Sequence, residues 1–367
     1  MEDVDDIHWI VYRQVLPVLV SFGIVANVIC VVVLSRPRLR SPRVNRYFLI
    51  LAVSDLLVCV FYIPVITTIT GCTFSSYGEA YYFSHFGWPL VGITQIIGTY
   101  TILWLSLDRF IAVWMYSLYP RIQQKPNVLR NRMGITILLC LSIHILYCII
   151  AEVECSDEKD GKCIKWKIKT GYQNHFNEVW HIVYRSVFAL FIRWVPACFL
   201  LVFNLGLIVG VVRGRINFPT TTQGSSRSGE KTLIITMISI TASYILLVLP
   251  ITIYITGYAE YREDRCTGRL SQEILRAVGN CLQIFEHSIH IFFLAGLNHG
   301  FRDEMKILFH MGKRNTEEVE TLENGQLGVS HSQLGGLQVT SHREQQKSAS
   351  APPVLAFTNR QTIAESL

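Results

Sequence analysis

Long runs without charged side chains constrain the fold of this chain more than any other feature. Residues 14–34 and 232–259 carry no charged side chain, and residues 47–69 carry only Asp55. About 20 helical residues cross the hydrocarbon core of a bilayer, where the backbone must satisfy its own hydrogen bonds. Only 16% of the 367 residues are charged, against about 25% in soluble domains. The sequence therefore predicts a membrane protein rather than a soluble enzyme.

Seven segments are long and apolar enough to span a membrane. Their continuous apolar character favours helices, because the strands of a membrane barrel alternate apolar and polar residues. The segments cover residues 14–34, 47–69, 85–113, 133–153, 180–212, 232–257 and 275–298. We predict an all-α membrane protein, a seven-transmembrane helix bundle over residues 14–298 that follows an N-terminal segment of residues 1–13.

Arginines in the first loop set the predicted orientation. Five lie between the first two spans with no acidic residue among them: Arg36, Arg38, Arg40, Arg43 and Arg46. Short loops rich in Lys and Arg stay on the cytoplasmic side of a membrane. We therefore predict a multi-pass protein of the plasma membrane with an extracellular N-terminus and a cytoplasmic C-terminus.

The chain changes composition after the last span. Residues 311–367 are rich in Gly, Ser, Gln, Thr and Glu and bury too little apolar surface to offset the cost of ordering. We predict a disordered cytoplasmic tail. Its eleven Ser and Thr residues suit regulation by kinases, but the same composition is typical of a solvated tail without a specific role.

Four of the ten cysteines fall on the predicted outer side: Cys72, Cys155, Cys163 and Cys266. That compartment is oxidising, so these four predict two disulfides. Four cysteines allow three pairings, and spacing alone does not choose among them.

Ionisable side chains inside the spans are the candidate functional residues, because burying them in lipid is costly. Asp55 lies in the second span and Arg193 in the fifth. Asp108 and Arg109 lie near the cytoplasmic end of the third span, and Glu230 directly precedes the sixth. The chain has no Walker loop, nucleophile elbow or HExxH motif, so we predict neither an enzyme nor a nucleic-acid partner.

The seventh span carries a polar trio, Glu286, His287 and His290. Two histidines at i and i+3 are compatible with a metal site. Adjacent helical residues diverge by about 100°, so Glu286 and His287 cannot both point at one ion. We favour no metal, and instead a proton- or sodium-sensitive polar cluster that faces Asp55, with a sodium ion near Asp55 as the candidate cofactor.

Several motifs, at their joint spacing, resemble those of rhodopsin-like G-protein-coupled receptors. They are Asn27 in Gly-Ile-Val-Ala-Asn, Asp55 in Leu-Ala-Val-Ser-Asp-Leu, Asp108-Arg109-Phe110, Pro196, Pro250 and Phe301-Arg302. The resemblance covers residues 10–310. It implies a receptor with a heterotrimeric G protein as partner and with a short amphipathic eighth helix over residues 299–310.

The resemblance also implies a switch at the cytoplasmic mouth of the bundle. Arg109 would pair with Asp108 beside it and with Glu230 across the bundle, and Phe110 would adjoin them. Release of the second pair would let the sixth helix swing outward and open a cleft for the G protein. Pro196 and Pro250 remove intrahelical hydrogen bonds, so the fifth and sixth helices could bend and pivot at these residues.

Within that superfamily the chain is most similar to FMRFamide-type neuropeptide receptors, on Trp88-Pro89-Leu90, Gln95, Tyr100, the Tyr184 region and Asn204. The similarity implies an extracellular peptide ligand. The acidic outer loops favour a basic, amidated peptide as the ligand. Acidic residues are also common in loops simply because they keep the loop surface solvated. The predicted pocket residues are Val91, Gln95, Tyr184, Arg193 and Tyr254. Receptor kinases and arrestin at the tail, and membrane lipid, are the further implied partners.

The family's usual cysteine at the top of the third span is absent, since Ser84 or a neighbour takes its place. An Asp160-Gly161 turn predicts a hairpin in the second outer loop that presents Cys163 over the cavity. We predict the pairs Cys72–Cys163 and Cys155–Cys266. The competing arrangement is Cys155–Cys163 with Cys72–Cys266.

The chain departs from the family at switch positions. Ser142-Ile143-His144 occupy the neighbourhood of the fourth-span Trp, Val248 replaces the aromatic toggle, and His290 begins the stretch that corresponds to Asn-Pro-x-x-Tyr. These departures leave open a diverged receptor with weak or no G-protein signalling. A membrane transporter is a further alternative, but the sequence shows no paired halves.

Overall fold

A computed structural model describes residues 6–69, 73–115, 117–123, 125, 127–169, 179, 183, 186–213, 227–258 and 270–309. The chain divides into two compact units, Met1–Gly312 and Lys313–Leu367. The second unit lies outside the described residues, and so does all of the tail that the sequence predicts to be disordered.

Within the described residues, seven long helices and a short eighth form a bundle. They are α1 (Leu16–Leu34), α2 (Arg43–Ile69), α3 (Trp88–Trp114), α4 (Val128–Ile150), α5 (Val195–Val212), α6 (Arg227–Ile253), α7 (Leu270–Leu297) and α8 (His299–Leu308). Shorter helices cover Pro37–Arg40, Tyr77–Tyr82 and Tyr119–Gln123. The predicted all-α seven-helix bundle is confirmed.

α3 occupies the centre, in contact with α2, α4, α5 and α6, while α7 packs against α1, α2 and α6. The main apolar cluster draws residues from all eight helices: Cys30, Leu51, Ile102, Cys140, Leu200, Ile240, Leu294 and Phe301. Close packing in this core fixes the positions of the helices relative to one another. Polar side chains on different helices are therefore held in contact inside the bundle.

Wider π-helical turns adjoin four of the helices, and each lies near a proline. They are His8–Val15 before α1, Phe83–Gly87 before α3, Ala189–Trp194 before α5 and Tyr254–Tyr258 after α6. The nearby prolines are Pro17, Pro89, Pro196 and Pro250. Proline lacks an N–H and clashes with the carbonyl four residues earlier, and that carbonyl lies inside the wider turn for Pro17, Pro89 and Pro196. Pro196 lies in the first turn of α5 and Pro250 lies inside α6; that they act as pivots stays a prediction.

α7 differs from the other spans. Six described helices are long and apolar enough to cross a membrane by composition: Trp9–Leu34, Arg43–Ile66, Tyr77–Trp114, Val128–Ile149, Ser186–Val212 and Thr232–Gly257. α7 carries three charged residues, Glu273, Arg276 and Glu286. Its exposed side nevertheless forms an apolar stripe of Ile274, Val278, Phe285 and Phe292. Its charged groups therefore face the bundle and its apolar stripe faces lipid.

α4 starts earlier than the sequence predicts. The predicted span begins at residue 133, whereas α4 begins at Val128 and ends at Ile150. Arg132, which directly precedes the predicted span, therefore lies inside α4 and is buried. Glu152 and Val153, predicted to close the span, belong to a strand instead.

A β-hairpin follows α4, built of β1 (Glu152–Lys159) and β2 (Lys162–Lys169). Its turn has positive φ at Asp160 (54°) and Gly161 (72°), which suits a tight hairpin turn. Phe74 pairs with Trp166 of β2 through two backbone hydrogen bonds. We name this end of the bundle the hairpin end, and the opposite end the α8 end.

The predicted pairs Cys72–Cys163 and Cys155–Cys266 are wrong. Cys155 of β1 forms a disulfide with Cys163 of β2, and their Cα atoms are 5.8 Å apart. The hairpin turn brings these two cysteines together because only eight positions separate them along the chain. Cys72 and Cys266 lie outside the described residues.

Candidate functional site

A buried polar network joins α1, α2 and α7 in the middle of the bundle. Asp55 of α2 is fully buried and accepts a hydrogen bond at each carboxylate oxygen. His287 Nδ1 lies 2.8 Å from Oδ1, and His290 Nδ1 lies 2.7 Å from Oδ2. Residues three apart on a helix share a face, so both rings reach the same carboxylate. The structure thus brings together the groups that the sequence predicts to face Asp55.

Glu286 completes this cluster from the same helix. Its Oε1 lies 3.1 Å from His290 Nε2 and its Oε2 lies 3.3 Å from His287 Nδ1. Neither approach has hydrogen-bond geometry, so Glu286 interacts with the rings mainly through charge. The ring of His290 therefore has a carboxylate at both nitrogens.

Asn27 ties α1 to this cluster. Its Nδ2 donates to the carbonyl oxygens of Gly23, at 2.9 Å, and of His287, at 2.8 Å. The close approach of α1 requires Gly23, because a Cβ there would lie 2.5 Å from Ser288 Oγ. Asn27 thus fixes the backbone of α7 at the residue whose ring binds Asp55.

Arg193 brings a further charge to the interior. It lies in the π-helical turn before α5, is buried, and its Nε has no hydrogen-bond partner within the described part of the chain. It interacts electrostatically with Glu286 and Tyr244, and the hydroxyl groups of Tyr244 and Thr99 lie 3.4 Å apart. Charged groups of α2, α7 and this turn therefore share one interior region.

The described residues contain no group of three or more His, Cys, Asp or Glu side chains arranged to hold a metal ion. The reason lies in the rings themselves, whose Nδ1 atoms point at Asp55 instead of converging on an ion. A sodium ion at Asp55 would have to compete with two imidazoles for the same oxygens.

A second polar cluster lies at the α8 end. Arg132 Nη1 of α4 donates to Asp108 Oδ1 at 2.6 Å and to Tyr47 Oη at 2.7 Å. The guanidinium also lies over the ring of Trp104, 5.3 Å from its centroid. Trp104 Nε1 in turn donates to Thr136 Oγ1 at 3.1 Å. This cluster ties α2, α3 and α4 together.

The predicted pairing of Asp108 with Arg109 is therefore wrong. Neighbouring residues point about 100° apart around a helix, so Asp108 faces α2 and α4 while Arg109 points elsewhere. The Arg109 guanidinium lies 5.9 Å from the centroid of the Tyr119 ring, and its Nε has no hydrogen-bond partner among the described residues. Glu230 lies within α6, but its side chain is outside the described residues.

Phe110 packs between α3 and α5. Its ring centroid lies 5.3 Å from that of Phe203 and 6.3 Å from that of Trp114. Trp114 Nε1 donates to the carbonyl oxygen of Gly206 at 2.9 Å. A Cβ at Gly206 would lie 2.5 Å from the Phe110 ring, so a glycine is needed for this approach.

The predicted pocket residues differ in their surroundings. Gln95 is half-buried, and within the described chain its amide forms no hydrogen bond. Val91 is buried in an apolar cluster with Tyr62 and Trp88. Tyr254 is buried in the main apolar cluster. Tyr184 lies outside the described residues.

Sequence reasoning missed Arg132, Tyr47 and Trp104. The start of α4 offered one usable signal, because Asn127 after Pro126 is typical of a helix N-terminus. That boundary would have placed Arg132 in the second turn of the helix. No spacing rule could have paired it with Asp108, 24 positions away.

Comparisons with known proteins agree with this geometry. A family model described as 7 transmembrane receptor (rhodopsin family) matches residues 26–285. A probable G-protein-coupled receptor of Caenorhabditis elegans is 22% identical over 301 residues, which cover 80% of this chain and 68% of that protein. The RYamide receptor of Drosophila melanogaster is 31% identical over 119 residues, which cover 32% of this chain and 24% of the receptor. The family match ends one residue before Glu286.

Proposed function

Because the chain belongs to the rhodopsin family of seven-transmembrane receptors, we propose that it binds an extracellular peptide and then activates a heterotrimeric G protein. The α8 end is cytoplasmic in this proposal, and the N-terminus and hairpin lie outside the plasma membrane. The arginines of the first loop support that orientation, since all five lie at the α8 end.

The position of Arg109 carries the proposal. Its guanidinium lies at the α8 end, held by neither Asp108 nor another described carboxylate. A free guanidinium there can pair with Glu230 in the resting state and contact a G-protein helix when α6 moves outward. Receptor kinases and arrestin would act on the tail after activation.

A peptide ligand is supported by the similarity to the RYamide receptor over about a third of the chain. The interior charges suggest how a basic peptide would act. Arg193 and Glu286 interact across the bundle, and a guanidinium from the ligand would compete with Arg193 for Glu286. The half-buried amide of Gln95, about 21 Å from Arg109 along α3, suits the amidated end of such a peptide.

Nucleotide exchange on purified G proteins tests this function. Membranes that contain the receptor should accelerate exchange when a library of basic, amidated peptides is added, and membranes without the receptor should not. The Arg109→Ala variant is the matched control for coupling. A receptor that binds a peptide of the library but never accelerates exchange would establish the alternative, a diverged receptor without G-protein signalling.

A further inference from the structure

Between the end of α1 and the start of α2 lies an open cleft of about 490 Å³, lined by Ser35, Pro37, Arg40, Ser41 and Arg46. Two of these side chains are guanidinium groups and two are hydroxyl groups. No acidic residue occurs between residues 35 and 46. The lining is therefore suited to an anion with several oxygen atoms.

The backbone around the cleft is held in place before any ligand arrives. Arg46 Nε donates to the carbonyl oxygen of Arg40 at 3.1 Å, and Arg46 Nη2 donates to that of Ser41 at 3.3 Å. Leu39 is buried in the main core and anchors the short helix Pro37–Arg40 from its other side. A preorganised site loses less entropy on binding than a flexible one.

The charges of the cleft remain available. Arg40 and Arg46 pair with no carboxylate among the described residues, whereas Arg38 lies 3.8 Å from Glu304 of α8. The guanidinium of Arg46 donates only some of its N–H groups to the two carbonyl oxygens, and the others can still donate to a ligand. The cleft therefore holds two positive charges without a counter-ion from the protein.

The cleft also lies at the depth of lipid headgroups. The outer face of α1 is an exposed apolar stripe that includes Val18, Val25, Val28 and Val32. This lipid-facing stripe ends one turn before Ser35, where the polar cleft begins. A lipid whose chains lie along α1 would present its headgroup phosphate at that level.

We propose that this cleft binds the phosphorylated headgroup of an anionic phospholipid. Arg40 and Arg46 would hold the phosphate oxygens, and the Ser35 and Ser41 hydroxyls would donate further hydrogen bonds. Clusters of basic residues beside a span favour anionic lipids on the cytoplasmic side, which agrees with the orientation proposed above. The site itself does not depend on a peptide ligand or a G protein.

The test uses the purified full-length receptor in detergent, with neither peptide nor G protein. The probes are dioctanoyl phosphatidylinositol 4,5-bisphosphate, dioctanoyl phosphatidylcholine and inorganic phosphate, and bound lipid is counted by native mass spectrometry. We expect the bisphosphate lipid to bind far more tightly than the other two. Arg40→Gln should weaken it about fivefold, the effect of one arginine near an anionic surface.

Arg36→Gln is the matched control, because Arg36 lies in the same loop but does not line the cleft. It should change binding less than twofold. Arg46→Lys keeps the charge but loses the bonds that hold the backbone, and it should also weaken binding. Equal losses in Arg36→Gln and Arg40→Gln would show diffuse attraction and overturn the site. Equal binding of inorganic phosphate, or of phosphatidylcholine, would overturn the proposed ligand.

Discussion

Asp108 of α3 is bound by Arg132 of α4, at 2.6 Å, and not by Arg109, its neighbour in the sequence. Both side chains are largely buried, with 6% of Asp108 and 11% of Arg132 exposed. The pair neutralises the acid inside the bundle and leaves the Arg109 guanidinium over Tyr119. The resting bundle is thus held by a bond between α3 and α4, next to the residue that we propose to couple to the G protein.

We expect Arg132→Gln to lower the free energy of unfolding by about 3 kcal/mol, because it leaves the buried charge of Asp108 uncompensated. Basal nucleotide exchange should rise, since α3 loses its tie to α4. Thermal unfolding of the purified receptor and exchange without ligand measure the two effects. Arg130→Gln, an exposed arginine of the same helix, is the control and should change neither. Equal stability of the two variants would show that the pair does not hold the bundle.

Arg109→Ala should abolish agonist-driven nucleotide exchange and leave surface expression and ligand binding largely intact. The reason is its place at the α8 end, distant from Gln95 and the hairpin end. Glu230→Ala should raise basal exchange by releasing Arg109. Normal exchange in Arg109→Ala would contradict the coupling role, and unchanged basal exchange in Glu230→Ala would argue against a pair between α3 and α6.

The sequence predicts the bundle well because span length and apolar composition are local properties. Asp55, His287 and His290 could also be associated, since the two histidines share one helical face and the family resemblance brings α2 to α7. The Arg132–Asp108 bond could not be predicted, because it depends on how α4 is rotated against α3. From the sequence, the Cys155–Cys163 disulfide is only the competing arrangement. The family resemblance favours cysteine pairs between different outer loops over a pair within one hairpin.

Ligand binding should not depend on sodium. Both oxygens of Asp55 accept hydrogen bonds from imidazoles, so a sodium ion would have to displace His287 or His290. Peptide affinity should stay the same when sodium chloride is replaced by choline chloride at constant ionic strength. His290→Asn should create a sodium response by freeing Asp55 Oδ2, whereas His299→Asn in the exposed first turn of α8 should not. A sodium response in the unaltered receptor would contradict this view of the cluster.

Gln95→Leu should weaken binding of the activating peptide about tenfold. The amide is half-buried and forms no hydrogen bond within the described chain, and a lost hydrogen bond in a desolvated site costs about 1–3 kcal/mol. Saturation binding on membranes measures the affinity, and surface labelling confirms equal receptor numbers. An unchanged affinity would remove Gln95 from the ligand pocket.

The approach of α5 to Phe110 yields a prediction with a close control. A Cβ at Gly206 would lie 2.5 Å from the Phe110 ring, and that ring is confined by Phe203 and Trp114. Gly206→Ala should therefore force the ring aside, at about 1–3 kcal/mol for an overpacked core. Because Phe110 adjoins Arg109, agonist-driven nucleotide exchange should fall as well.

Gly134→Ala in α4 is the matched control, since nothing lies within 4 Å of a Cβ at that position. Both changes replace a helical glycine with alanine, so the gain in helix propensity of about 1 kcal/mol cancels in the comparison. The difference in free energy of unfolding between the two variants, measured by thermal unfolding, then reports the clash alone. Equal stabilities would show that α5 does not press on Phe110, and equal exchange rates would show that the position of this ring does not affect coupling.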